Sequence, residues 1–139
     1  MNHLIEQANL SADIVCDSAG TGGYHIGRQP DERMTIAAAN KLGIRLRGHA
    51  RQFQASDLAD FDLILAMDRE NYQDILALDR VGKYQHKVRM MCDYCSQHQV
   101  KEVPDPYYGG PQGFNLVIDI LVDACSGLLE EVKSQIAVK

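Results

Sequence analysis

Apolar residues recur along the chain in two registers: short β-branched runs, and longer stretches spaced three and four apart. Their alternation predicts βα units around a parallel sheet. Leu4, Ile5 and Ala8 share a helical face that Asn9 and Ser11 break. Residues 13–16 (Asp-Ile-Val-Cys) form the first strand candidate and run into the small, polar, Gly-rich stretch 17–23. From about Asp31 the spacing predicts a helix with Met34, Ala37, Ala38 and Leu42 inward and Gly43 as its stop. Residues 61–67 are apolar on both faces, as expected of a strand covered by helices on each side. Asp68 then caps a helix with Tyr72, Ile75 and Leu76 inward. Residues 86–91 fit a third strand, followed by a long polar loop to about Gln112. Phe114, Val117, Ile118, Leu121, Cys125, Leu128, Leu129 and Val132 make the stripe of a final helix, with Asp119, Asp123, Glu130 and Glu131 away from it.

A doubly wound sheet does not usually begin with a helix. The opening segment therefore reads as the second half of a βα unit whose strand lies upstream of Met1. At 139 residues the chain is expected to form a single domain over 1–139, able to bury about two-thirds of its unfolded surface. No repeat or linker interrupts it. Lys and Arg number 14 against 19 Asp and Glu, a net charge of −5, which argues against nucleic acid or an acidic membrane as partner. Hydrophobic residues at 45% and charged residues at 24% disfavour disorder. The first residues show neither a charged leader nor a long apolar run, so a cytoplasmic location is expected. The four cysteines, Cys16, Cys92, Cys95 and Cys125, are too few and too irregular for a disulfide scaffold and read as reduced thiols.

Several groups carry candidate chemistry, each with a plainer structural alternative. The backbone N–H groups of 17–23 suit an anion-binding nest, but the P-loop lysine and GxGxxG spacing are absent, so a nucleotide site is disfavoured. His86, Cys92, Cys95 and His98 include a Cys-x-x-Cys that suits zinc or a redox pair. Both are disfavoured, because an extended strand would carry Cys92 about 20 Å from His86 at ~3.3 Å per residue. Asp105 lies between two prolines, and Pro106 biases it toward an extended conformation, either as a surface turn or as an aimed carboxyl. Tyr107 and Tyr108 are partial core or the apolar walls of a pocket. Ser18, His49 and Asp68 are a turn residue, a loop histidine and a helix cap unless something binds near them.

Five segments in order resemble the low-molecular-weight protein tyrosine phosphatase family: DSAGTGGYHIG (17–27), RGHARQF (47–53), FDLILAMDREN (61–71), KVRMM (87–91) and VPDPYYGG (103–110). The resemblance covers essentially the whole chain. It implies an α/β, three-layer αβα fold with a parallel sheet, of the phosphotyrosine protein phosphatase I type. The implied activity is hydrolysis of phosphotyrosine in proteins, or of small aryl phosphates, through a phosphocysteine, with no cofactor and no metal. By the same resemblance Asp105 is the general acid, Tyr24, Tyr107 and Tyr108 flank the substrate, and Ser18, His49 and Asp68 support the phosphate loop.

One part of the pattern is absent. The family's nucleophile is a cysteine followed six positions on by arginine, whereas here Cys16 meets Gly22, Cys92 meets His98, Cys95 meets Lys101 and Cys125 meets Glu131. The expectation is a family fold missing its first, central strand and its phosphate loop, inactive as written. A catalytically dead phosphotyrosine-binding or regulatory relative is the alternative, with oligomeric state open. An arsenate reductase of similar fold is disfavoured, since no cysteine lies near Asp68 where those enzymes carry a redox pair.

Overall fold

Two short parallel strands, β1 (Ile64–Ala66) and β2 (Val88–Met90), form the centre of the molecule in a computed structural model, with Ile64 opposite Val88 and Ala66 opposite Met90. The structure describes residues 1–22, 27, 31–46, 48, 50–105 and 110–138. Five helices surround the strands among these residues: α1 (Asn2–Gln7), α2 (Glu32–Leu42), α3 (Ala55–Asp60), α4 (Arg69–Ala77) and α5 (Gly110–Val138). Single 3₁₀ turns, Gln85–Lys87 and Met91–Tyr94, bracket β2.

The strand alternation sorts the core into layers. Ile64, Ala66, Val88 and Met90 face one way, against Leu58 of α3 and Ile75 of α4, with Tyr72 and Leu76 packed alongside. Leu63 and Leu65 face the other way, against Met91 and the Ala124, Cys125 and Leu128 stripe of α5, where Leu4 of α1 also packs. Helices thus cover both faces of the small parallel sheet, an α/β arrangement in three layers. A third cluster joins Ala37 and Ala38 of α2 to Phe114 and Ile118 of α5. By length and composition α5 suits a bilayer, but about half of the apolar stretch is buried within the protein, part of it in these two clusters.

The local signals hold where they are local. Asp31 caps α2, accepting from the amides of Arg33 at 2.8 Å and Met34 at 3.3 Å, and Gly43 ends it at φ 65°, a left-handed conformation that a glycine adopts without strain. Asp68 caps α4 through Oδ1, 2.7 Å from the Asn71 amide.

Two expectations need correction. Residues 13–16 are not a strand: a turn closes at Leu10, whose carbonyl accepts from Asp13 and Ile14, and the segment continues irregularly with Val15 84% exposed. No backbone hydrogen bond among the described residues joins 13–16 to 61–67. A four-residue apolar run becomes a strand only beside an edge that accepts its hydrogen bonds, so pattern alone could not decide it. The other two strands are shorter than their apolar runs, because 3₁₀ turns take up both ends of 86–91 and only Ile64–Ala66 finds a partner. Off the apolar stripe of α5, Asp123 is engaged by the segment after β2 and Glu131 by Arg89 of β2 and the Tyr94 hydroxyl.

Candidate active site

The carboxyl end of β1 is where the family-like segments converge. Parallel sheets gather chemistry there because loops leave the strands and helices begin. The chain passes from Ala66 through Met67 to Asp68, whose carboxylate is committed to the α4 N-terminus. One turn into α4, the Asn71 side chain donates through Nδ2 to Thr21 Oγ1 at 3.1 Å. That bond brings the Gly-rich stretch onto the end of the sheet.

The Gly-rich stretch is positioned by main chain as well. Gly20 donates to the Arg51 carbonyl at 2.9 Å and accepts from Phe53 at 2.7 Å, a parallel bridge between residues 20 and 52. Gly27 donates to the Ala50 carbonyl at 2.6 Å. Arg51 reinforces the junction from its side chain, with Nε donating to Asp17 at 3.0 Å and Nη1 to Asp57 at 2.9 Å. Asp57 is 7% exposed and also accepts from the Gln54 amide at 2.9 Å. The Arg51 guanidinium holds its carboxyl below the usual carboxylate range, against the opposing effect of burial.

The polar loop after β2 reaches the same place. The Val103 amide donates to the Met67 carbonyl at 2.8 Å, and the Arg69 amide donates to Glu102 Oε1 at 3.2 Å. Asp105 follows two residues later and is exposed. At its start this loop is fastened to α5: Asp123 accepts from the amides of Ser96, Gln97 and His98 at 3.0, 3.0 and 2.9 Å and from His98 Nδ1 at 2.8 Å. These donors, the Ser96 amide foremost, hold the Asp123 carboxyl far below its ordinary value.

Of the residues singled out in the sequence, the structure brings Asp68 and the Asp105 loop to one strand end. Ser18 is exposed, its amide donating to Asp17 Oδ1 at 2.8 Å. Tyr24, His49, Tyr107 and Tyr108 lie outside the described residues. Sequence reasoning missed Thr21, Asn71, Arg51, Asp57 and Asp123. Arg51 stands inside the HARQ segment, and Asn71 three residues after a capping aspartate, so both had a local signal; Asp57 and Asp123 had none.

Burial works against the thiolate at three of the four cysteines. Burial pushes Cys16 and Cys92 up from the ordinary thiol value, and burial next to Cys92 and Asp123 pushes Cys95 up to about 11. A nucleophilic cysteine needs the opposite shift. His86 lies exposed in a 3₁₀ turn while His98 is committed to Asp123, and no group of three metal-ligating side chains occurs among the described residues.

Comparison with known proteins fits this geometry. The family model described as low molecular weight phosphotyrosine protein phosphatase matches residues 1–138. A putative low molecular weight protein-tyrosine-phosphatase of Synechocystis is 56% identical over 136 residues, covering 98% of this chain and 86% of that protein. The crystal structure of a protein tyrosine phosphatase from Entamoeba histolytica, with Hepes in its active site, superposes with a TM-score of 0.90 at 41% identity, over 96% of this chain and 85% of that one. The crystal structure of YfkJ from Bacillus subtilis gives 0.83 at 34% identity, over 96% and 82%. Sharing that family's segments in order and its α/β fold, this chain belongs to the low molecular weight phosphotyrosine protein phosphatases.

Proposed function

We propose that these residues provide the acid and the supporting frame of a phosphotyrosine phosphatase, with Asp105 as general acid and the Cys-x5-Arg cradle not among residues 1–139. Covalent phosphate-monoester hydrolysis needs a thiolate, a ring of N–H donors and a guanidinium on the phosphoryl oxygens, and an acid for the leaving oxygen. The observation that carries the reading is the Val103 amide bonded to the Met67 carbonyl, which ties the Asp105 loop to the strand end that Asp68 and Asn71 occupy. Tyr24, Tyr107 and Tyr108 are the proposed walls for an aryl ring, and Ser18, His49 and Asp68 the proposed partners of a phosphate loop. A further strand, carrying that loop, between residues 13–16 and β1 is part of the same reading; the exposed Val15 and the missing hydrogen bonds between the two segments support it.

The test is rapid-mix hydrolysis of p-nitrophenyl phosphate. Residues 1–139 are expected to give no burst and no phosphocysteine, and a stoichiometric burst overturns that expectation. In a chain joined to a Cys-x5-Arg strand and loop, Asp105→Asn is expected to slow phosphoenzyme formation by about 10²–10⁴-fold, most for poor leaving groups. Rates within threefold of each other, with equal dependence on leaving-group pKa, would assign the proton to another residue.

A further inference from the structure

Asn71, Asp74 and Leu78 are spaced three and four apart and share one side of α4. Thr21, held by its hydrogen bond from Asn71, lines a shallow cleft of about 300 Å³ together with Gln52, Phe53, Asp74, Ala77 and Leu78. Its floor is fixed by main chain, since Gln52 and Phe53 belong to the bridge with Gly20.

The lining has one charge, Asp74. Among the described residues this carboxylate has no ion-pair or hydrogen-bond partner. The cleft also runs to the C-terminal end of α4, where the helix dipole is negative and the last turn carries no basic residue. Two independent sources of negative potential therefore act on a slot whose other walls, Phe53, Ala77 and the 42%-exposed Leu78, are apolar. A lysine or arginine side chain matches both halves, with its methylenes on the apolar walls and its cation at the carboxylate. A free aliphatic side chain would leave Asp74 unanswered, and an anion would be repelled.

We propose that this cleft binds a lysine or arginine side chain of a peptide, the cation at Asp74 and the stem against Phe53 and Leu78. That the peptide is a substrate, read beside its phosphotyrosine, rests on the phosphatase reading; binding of the side chain does not. A pair at a partly exposed carboxylate gives a preference of about two- to fivefold over an uncharged side chain of similar length.

The experiment is a titration of the ¹⁵N-labelled chain at low salt with Nα-acetyl-arginine amide, Nα-acetyl-lysine amide and Nα-acetyl-norleucine amide. Shifts are expected at the amides of Thr21, Gln52, Phe53, Ala77 and Leu78, with both cationic ligands at least twofold tighter than norleucine. Asp74→Asn is expected to abolish that preference. Leu78→Lys, which sets a competing cation at the mouth and trims an apolar wall, is expected to weaken the cationic ligands more than norleucine. Equal binding of all three, shifts confined to other surfaces, or a preference that survives Asp74→Asn overturns the proposal. None of these ligands carries phosphate, so their failure leaves the Asp105 assignment standing, and failure of the burst experiment leaves the cleft standing.

Discussion

Gly127 of α5 rests on the carbonyl of Tyr94, so close that a β-carbon at position 127 would collide with that oxygen and lie 3.4 Å from the Tyr94 Cβ. Both colliding groups are tied to main chain, so neither yields by a rotamer change. Helix propensity alone makes Gly→Ala favourable by about 1 kcal/mol, whereas overpacking against a fixed neighbour costs about 1–3 kcal/mol. Gly127→Ala is accordingly expected to lower stability. A urea midpoint equal to or above that of the wild type would show that α5 and the 3₁₀ turn separate freely.

Asp123 sets an acid limit. Its folded-state carboxyl is depressed by the Ser96, Gln97 and His98 donors, so the stability it provides is complete above the unfolded value near 3.9. That stability is lost as pH falls from there toward the folded value. Asp57, also depressed, acts with the same sign. Urea midpoints between pH 5 and pH 3 are expected to fall more steeply for the wild type than for Asp123→Asn. Parallel falls would place the acid sensitivity elsewhere.

Arg51 serves two carboxylates of different worth. Asp17 keeps about half its side chain in water, while Asp57 is nearly covered. Arg51→Met strands a buried acceptor and is expected to cost about 1–3 kcal/mol. Asp17→Asn breaks only the exposed pair and is expected to cost roughly 0–1 kcal/mol. Thermal unfolding of the two variants side by side checks the order, and equal losses would mean that Asp57 is satisfied without its cation.

Cys95 should be slow to alkylate in the folded protein. With its thiol pushed up to about 11, only on the order of one molecule in a thousand is thiolate at pH 8. Iodoacetamide labelling followed by mass spectrometry is expected to be about a hundredfold or more slower than in urea, rising tenfold per pH unit. A rate close to that of the unfolded chain would mean that the segment opens readily.

Legibility followed the range of the interaction. The helix start near Asp31, the cap at Asp68, the stop at Gly43 and the α5 stripe were readable because each acts within a turn or two of itself. The strand status of 13–16 was not, since a strand is defined by a neighbour the run itself does not specify. The partners of Asp123 were not readable for a related reason. Helical periodicity places it off the apolar stripe, but says nothing of the amides 25–27 residues away that close over it. At the site, Asp68 was found through its helix, whereas Thr21 became visible only once the fold had brought it within 3.1 Å of Asn71.

The bond from the Val103 amide to the Met67 carbonyl has a consequence for how this chain tolerates change. Because donor and acceptor are both main chain, every side chain but proline leaves the tether intact at 103, and substitution scanning would score the position as indifferent. Length is another matter. Proline at 104 and at 106 each biases the residue before it, Val103 and Asp105, toward an extended backbone, so the distance from anchor to carboxylate depends on residue count. One residue inserted between 103 and 105 would carry Asp105 about 3 Å further along and turn it to another side, although every named group would still be present. The loop works as a ruler, and it is the spacing, more than the identity of the residue that holds it, that determines where the Asp105 carboxyl sits.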